Sequence, residues 1–150
     1  MAVRLSSRMG GEAVIIKSFE IDISKVIQLN GTLGAMGALQ GPNFAVDASF
    51  GQQVGTNLFH SFESFNLNRT ESATFIGPAD IGNIINRVTG GQPSSIDGLL
   101  SSKIPSADVY FLNPAGIMFG PNAQINLPGS LYISSVDKFA EIQISPQLKN

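Results

Sequence analysis

Between Val109 and Ser134, apolar and polar side chains alternate in short bursts broken by turns that carry proline or glycine. Ile117 and Phe119, then Ala123, Ile125 and Leu127, then Leu131 and Ile133 form one set. Met118, Gln124, Asn126, Tyr132 and Ser134 form the other. A strand turns successive side chains to opposite faces, so the first set is predicted to face inward and the second outward. Asn113-Pro114-Ala115-Gly116 has Asn, Pro and Gly where a type I turn takes them. Leu127-Pro128-Gly129-Ser130 suits a type II turn, with Gly at the position that needs positive φ. Pro114, Pro121 and Pro128 lie seven residues apart. These corners are not the two-residue primed turns that hairpins prefer. Brief strands between wide corners predict an all-β parallel coil, with about three strands per turn and a period of roughly 20 residues. Stacked turns would then bury a continuous stripe that no single turn could bury. A meander of hairpins gives the same alternation, and periodicity by itself leaves both open.

Upstream the pattern is similar but less regular. Val14-Ile15-Ile16 and the alternating Phe19-Glu20-Ile21-Asp22-Ile23 read as possible strands. Asn30-Gly31, between Ile27-Gln28-Leu29 and Thr32-Leu33, predicts a hairpin with a type I′ turn. Phe44-Ala45-Val46, Asn57 to Phe62 leading into Phe65-Asn66-Leu67, and Ser72 to Ile76 are strand candidates. Ile81, Ile84, Ile85 and Val88 sit at helical spacing, yet the segment is short and lies between Gly77-Pro78 and Gly90-Gly91. Strand is the favoured reading and helix the alternative. Ser95 to Leu100 reads as one further strand.

Composition narrows the class. The 150 residues are 43% hydrophobic but only 13% charged, so the surface is neutral-polar, which suits repetitive β structure better than surface helices. A net charge of -2 gives no footprint for nucleic acid, and no basic cluster would hold a membrane surface. No cysteine is present, which removes disulfide and thiolate chemistry. No apolar run approaches the ~20 residues of a membrane helix, so membrane insertion is not expected. Ala13 to Ile16 is too short for a signal-peptide core, and Lys17 follows it.

Candidate chemistry is sparse. His60 is the one histidine, and it is expected to pack between Phe59 and Phe62 and bond nearby backbone rather than serve a triad. Neither a metal site nor a cofactor is expected. Glu63, Glu71, Asp80, Asp97 and Asp108 are spread singly, as turn or strand-end acids. Gly90 to Ser95 lacks the Lys-Ser/Thr of a phosphate loop and reads as a turn. Asn30-Gly31-Thr32 and Asn68-Arg69-Thr70 match the glycosylation sequon. Phe59, Phe62, Phe65 and Phe75 are predicted core. Tyr110, Met118 and Tyr132 are candidates for an outward contact face.

Four stretches together resemble a known family: Val26 to Gly34, Gly55 to Leu67, Ser72 to Leu100 and Val109 to Ser130. They look like the N-terminal secretion domain of filamentous-haemagglutinin-like exoproteins, the exported partners in bacterial two-partner secretion. The resemblance implies a right-handed, single-stranded, pectin-lyase-like parallel β-helix with an N-terminal β cap. It implies a non-enzymatic domain recognised by the periplasmic POTRA domains of an outer-membrane β-barrel transporter. It also implies folding outside the cell, hence an extracellular or cell-surface location. The family's Asn-Pro-Asn-Gly-Ile recognition motif maps onto Asn113, Pro114, Ala115, Gly116 and Ile117, with Ala at the third position. A second family motif maps onto Asn57, Leu58, Phe59, His60, Ser61 and Phe62.

The expected organisation is an extension over 1–25, the secretion domain over 26–134 and a divergent, truncated tail over 135–150. The rival expectations are a carbohydrate-active or carbohydrate-binding β-helix and a vestigial fragment of a larger exoprotein. An exposed edge of the coil is also expected to favour self-association.

Overall fold

A computed structural model describes residues 26–135. Val14 to Ile16, Phe19 to Ile23 and the tail beyond Ser135 lie outside the described residues. The chain opens with β1 (Gln28–Asn30) and β2 (Met36–Ala38), an antiparallel pair. The first turn of a coil follows, with β3 (Asn43–Asp47), a 3-10 turn at Ala48–Phe50, β4 (Gln52–Val54) and β5 (Asn57–Ser64). The second turn holds β6 (Ser72–Ile76), β7 (Asn83–Val88) and β8 (Ser94–Ile96). The third holds β9 (Leu99–Ser102), β10 (Asp108–Leu112) and β11 (Ile117–Phe119). The fourth holds β12 (Gln124–Asn126) and β13 (Leu131–Ser134).

Each strand pairs in parallel with its counterpart one turn later, so the molecule is a parallel β-helix of about four turns and not a meander. One sheet runs β13-β10-β7-β5-β1-β2, a second β12-β9-β6-β3 and a third β11-β8. The first sheet is parallel except where β1 and β2 close its N-terminal end and β4 folds back on β5. The register joins Leu58 to Ile84 to Val109 to Leu131, steps of 26, 25 and 22 residues. The turns are thus longer than the predicted period, because their corners take more residues than the spacing of the last prolines suggests.

Inward columns make the core. Phe44, Ala73, Leu100 and Ile125 stack in one sheet. In another, Leu58, Ile84, Val109 and Leu131 lie beside Phe62 and Val88. Rings fill the lumen between sheets: Phe65 meets Phe62 edge-on at 5.0 Å and Phe111 at 4.8 Å. Burying one such side chain contributes about 1.5–3 kcal/mol. Phe62, Phe65 and Phe75 are core as predicted. Phe59 points outward instead and packs with Ile85, Tyr110, Leu112 and Tyr132 in a separate cluster.

Several local expectations are corrected. Asn30-Gly31 does not form a two-residue type I′ turn. β1 meets β2 across the five residues 31–35; Gly31, at φ 86, and Gly34, at φ 107, take positive φ, but Asn30 does not. Asn30 accepts from the Thr32 N–H at 2.9 Å and spends its amide nitrogen on Ser61 Oγ and Thr89 Oγ1. The tight two-residue turn is at Gly55-Thr56, joining β4 to β5 with Gly55 at φ 63.

The ambiguous 81–88 segment holds strand β7 over Asn83–Val88, as favoured, and not a helix. Its helical spacing arises because Ile84 and Val88 face the lumen, Ile85 faces the outer cluster and Ile81 lies in the corner before the strand. The single strand predicted over Ser95 to Leu100 is two, β8 and β9, in different sheets around a corner at Asp97-Gly98. Gly129 is not at positive φ, so no type II turn forms. Glycine is needed there for close approach, since a Cβ would lie 2.5 Å from the Ala107 carbonyl oxygen.

Candidate recognition site

Asn113 to Gly116 forms the corner between β10 and β11, and Ile117 opens β11. The predicted turn is present: the Gly116 N–H donates to the Asn113 carbonyl at 2.9 Å. Asn113 itself is buried. Its amide nitrogen donates to the Gln92 carbonyl at 3.1 Å and to Ser94 Oγ at 3.0 Å, both one turn earlier. Its Oδ1 accepts from the Ala115 N–H at 2.9 Å. The backbone N–H of Asn113 reaches the Ser134 carbonyl one turn later. Gly116 accepts from the Ser94 N–H, and Ile117 packs half-buried against the core. Within this motif, Pro114 and Ala115 are the two residues classed as exposed.

The second motif lies on β5, two strands away across β7. Asn57 accepts from Asn83 Nδ2 at 2.9 Å, and Leu58 and Phe62 are buried in the lumen. Ser61 accepts from Asn30 and so ties the cap hairpin to the first turn. The fold does not bring the two motifs together at one surface.

His60 faces inward with no exposure. It packs against Phe62 at 5.7 Å and Phe75 at 5.8 Å, whereas the expected neighbour Phe59 points out on the opposite face. Asn86 Nδ2 donates to the Tyr110 carbonyl at 3.0 Å, which turns its Oδ1 toward His60 Nδ1 at 3.1 Å and assigns the ring proton to Nδ1. The other ring nitrogen faces the Asp47 carbonyl at 3.4 Å. Burial holds the imidazole pKa below its ordinary value, so His60 is a neutral packing residue.

The acids are spread singly over corners and strand ends, and several close a corner by accepting a backbone N–H. Asp47 accepts from Ser49 and Glu71 from Asn68, each within its own corner. Asp97 accepts from the Asn122 N–H and Asp108 from the Ser130 N–H, both one turn on and both at 2.8 Å. Among the described residues no group of three or more His, Cys, Asp or Glu could hold a metal ion. Asp80 instead meets Gln53 Nε2.

The expected outward face is only partly available. Met118 is exposed. Tyr110 is buried, with its ring stacked 4.8 Å from Tyr132. Burial, with Asp108 and Tyr132 nearby, pushes its phenol up to about 12. An open cavity of about 490 Å³ lies at the cap, lined by residues that include Leu29, Met36, Leu39, Ala45 and Phe50. Sequence reasoning missed it, because it forms between the β1–β2 hairpin and β3, where no local motif marks the gap. It also missed the interior asparagines. Their only signal is an amide beside apolar residues, as at Asn66 between Phe65 and Leu67.

Comparison with known proteins decides the family. Residues 25–145 match the TPS secretion domain. The chain belongs to that family. The TPS secretion domain serves two-partner secretion and is not an enzyme family. Two proteins of Haemophilus influenzae, both named heme/hemopexin-binding protein, are also similar. One is 34% identical over 68 residues, 45% of this chain, and the other 33% identical over 70 residues, 47% of this chain. In both cases the matched stretch spans 7% of the relative's length. This TPS domain therefore corresponds to a small part of those relatives.

Proposed function

We propose that this TPS domain is the address and folding seed of an exported protein. In this reading the POTRA domains of a cognate outer-membrane transporter bind it on the periplasmic side. It then folds outside the cell, starting from the capped first turn, and stays extracellular or on the cell surface as a non-enzymatic, adhesin-type nucleus. The family match over residues 25–145 carries the reading. The polarity of the coil supports it, because among the described residues the N-terminal end is closed by β1 and β2 while the fourth turn leaves an edge on which further turns can stack.

The candidate motif divides under this reading. Asn113 and Gly116 serve the fold through the corner bonds described above. A contact with the folded transporter partner falls to the exposed tip, Pro114 and Ala115. A contact made before folding would also reach Asn113 and Ile117.

Binding to purified POTRA domains, measured by surface plasmon resonance with the domain both folded and held in urea, tests the proposal. Association in at least one state is expected. No association in either state, with a longer TPS protein binding its own transporter in parallel, would remove the proposal.

A further inference from the structure

Asn30 ends β1 and is followed by Gly31. No other asparagine in the chain precedes a glycine. The pair has a chemistry of its own, because glycine has no Cβ to hinder its backbone nitrogen from approaching the preceding side chain. The Gly31 nitrogen, on losing its proton, can attack Asn30 Cγ. A new N–C bond closes a succinimide ring, the Cγ–Nδ2 bond breaks, and ammonia leaves with the proton. Water then opens the ring at either carbonyl and gives aspartate or isoaspartate. Water is the sole co-reactant, and nothing is oxidised or reduced.

The coil ties down the group that would have to leave. Asn30 Nδ2 donates to Ser61 Oγ on β5 at 2.8 Å and to Thr89 Oγ1 just past β7 at 2.9 Å, with the Phe62 carbonyl at 3.3 Å. Asn30 Oδ1 accepts from the Thr32 N–H at 2.9 Å. On the main chain Asn30 pairs with Met36 of β2. Swinging Cγ onto the Gly31 nitrogen breaks the side-chain bonds. Those to Ser61 and Thr89 span 31 and 59 residues of sequence, so the unfolded chain has none of that restraint. The same amide joins the cap hairpin to two successive turns. An aspartate has no N–H to give to the Phe62 carbonyl, and an isoaspartate adds a main-chain carbon between β1 and its turn.

We infer that Asn30 is a self-modification site that folding closes: the unfolded chain converts Asn30-Gly31 through a succinimide, and the hydrogen bonds to Ser61 and Thr89 protect the same amide in the coil. A chain that folds promptly keeps its cap amide. One held unfolded loses it, and with it a tie that closes the N-terminal end. The inference stands on the surroundings of this amide and is independent of the transporter reading.

Peptide mapping by mass spectrometry tests this, after timed incubation of the full chain in mildly alkaline buffer with and without guanidinium chloride. Conversion at Asn30 is expected in guanidinium chloride and at least about tenfold more slowly in the folded chain, since only the locally open fraction reacts. The double variant Ser61→Ala, Thr89→Ala is expected to speed conversion of the folded chain at least about threefold and to leave the rate in guanidinium chloride unchanged. Asn30→Asp copies one product and is expected to lower the guanidinium midpoint. The wild-type comparison needs no substitution and decides the matter even where a variant unfolds. Equal rates for the folded and unfolded wild-type chain, conversion at other asparagines ahead of Asn30, a folded double variant that reacts no faster, or an Asn30→Asp chain as stable as the wild type would each overturn the inference.

Discussion

The first turn and the fourth turn are built from the same pattern and end in different physical states. In the first, Leu58, His60 and Phe62 alternate inward and are wholly buried, because a hairpin lies on one side and the second turn on the other. In the fourth, Leu131 and Ile133 alternate inward in the same columns, yet Ile133 is 46% exposed. Alternation sets which way a side chain faces. Burial needs a neighbour on both sides, and strand pattern says nothing about that.

The sharpest way to break this contrast is to truncate one residue in each turn. Phe62→Ala is expected to cost about 3–5 kcal/mol in urea unfolding, as for a fully buried aromatic. Ile133→Ala is expected to cost less than about 1.5 kcal/mol, because half of the side chain is already in water. Equal losses would mean that the last turn is covered in solution.

Asn113→Ala should fall next, at about 1–3 kcal/mol, because it leaves the buried Ser94 hydroxyl without its donor and the Gln92 carbonyl and Ala115 N–H without their partners. Asn113→Asp is expected to lose stability too, since the donor to Gln92 and Ser94 disappears. A loss below the scatter of surface substitutions would show that the corner does not need its buried amide.

Mild acid should weaken the first turn, where His60 is buried. His60 has a folded-state pKa below the ordinary 6.5, so the unfolded chain binds the proton more readily. Its contribution is complete above pH 6.5 and is lost as pH falls from 6.5 through the lower folded-state value. The slope in that window is at most about 1.4 kcal/mol per pH unit for one group. His60→Gln is expected to flatten the slope, and an unchanged slope would place the titration elsewhere.

The smallest effect is expected at the corner tip. Ala115→Asn should change stability by no more than about 0.5 kcal/mol, because the site is exposed. A gain in affinity for POTRA domains with stability unchanged would assign recognition to that side chain.

Much of the fold was legible because parallel coils repeat one local rule. The corner at Asn113-Pro114-Ala115-Gly116 follows from turn chemistry, and it closes as the residues require. The facing of Ile117, Phe119, Ile125 and Ile133 follows from a period of two. The 81–88 segment was ambiguous because its two faces are both apolar, one toward the lumen and one toward Phe59 and Tyr110, and two apolar faces on a strand can mimic helical spacing. Gly129 was assigned the wrong task because close approach to Ala107 is a contact between turns, invisible to any rule about four consecutive residues. The candidate site was legible as a motif but not as a surface. Only the stacked turns show that Asn113 looks inward and Ala115 outward.

The long-range bonds from a backbone N–H to a side chain share a direction along the coil. Asn66 receives Ser95, Asp97 receives Asn122 and Asp108 receives Ser130, and in each case the side-chain acceptor lies on the earlier turn and the backbone donor on the later one. A segment arriving in sequence order therefore finds its acceptor already held in place by the turn before it. Under a pulling force applied at the C-terminal end, the same arrangement loads one turn's worth of bonds at a time. The coil would behave as a zipper with a defined starting tooth, extending in steps of about one turn, and the step length would report how many residues each tooth contains.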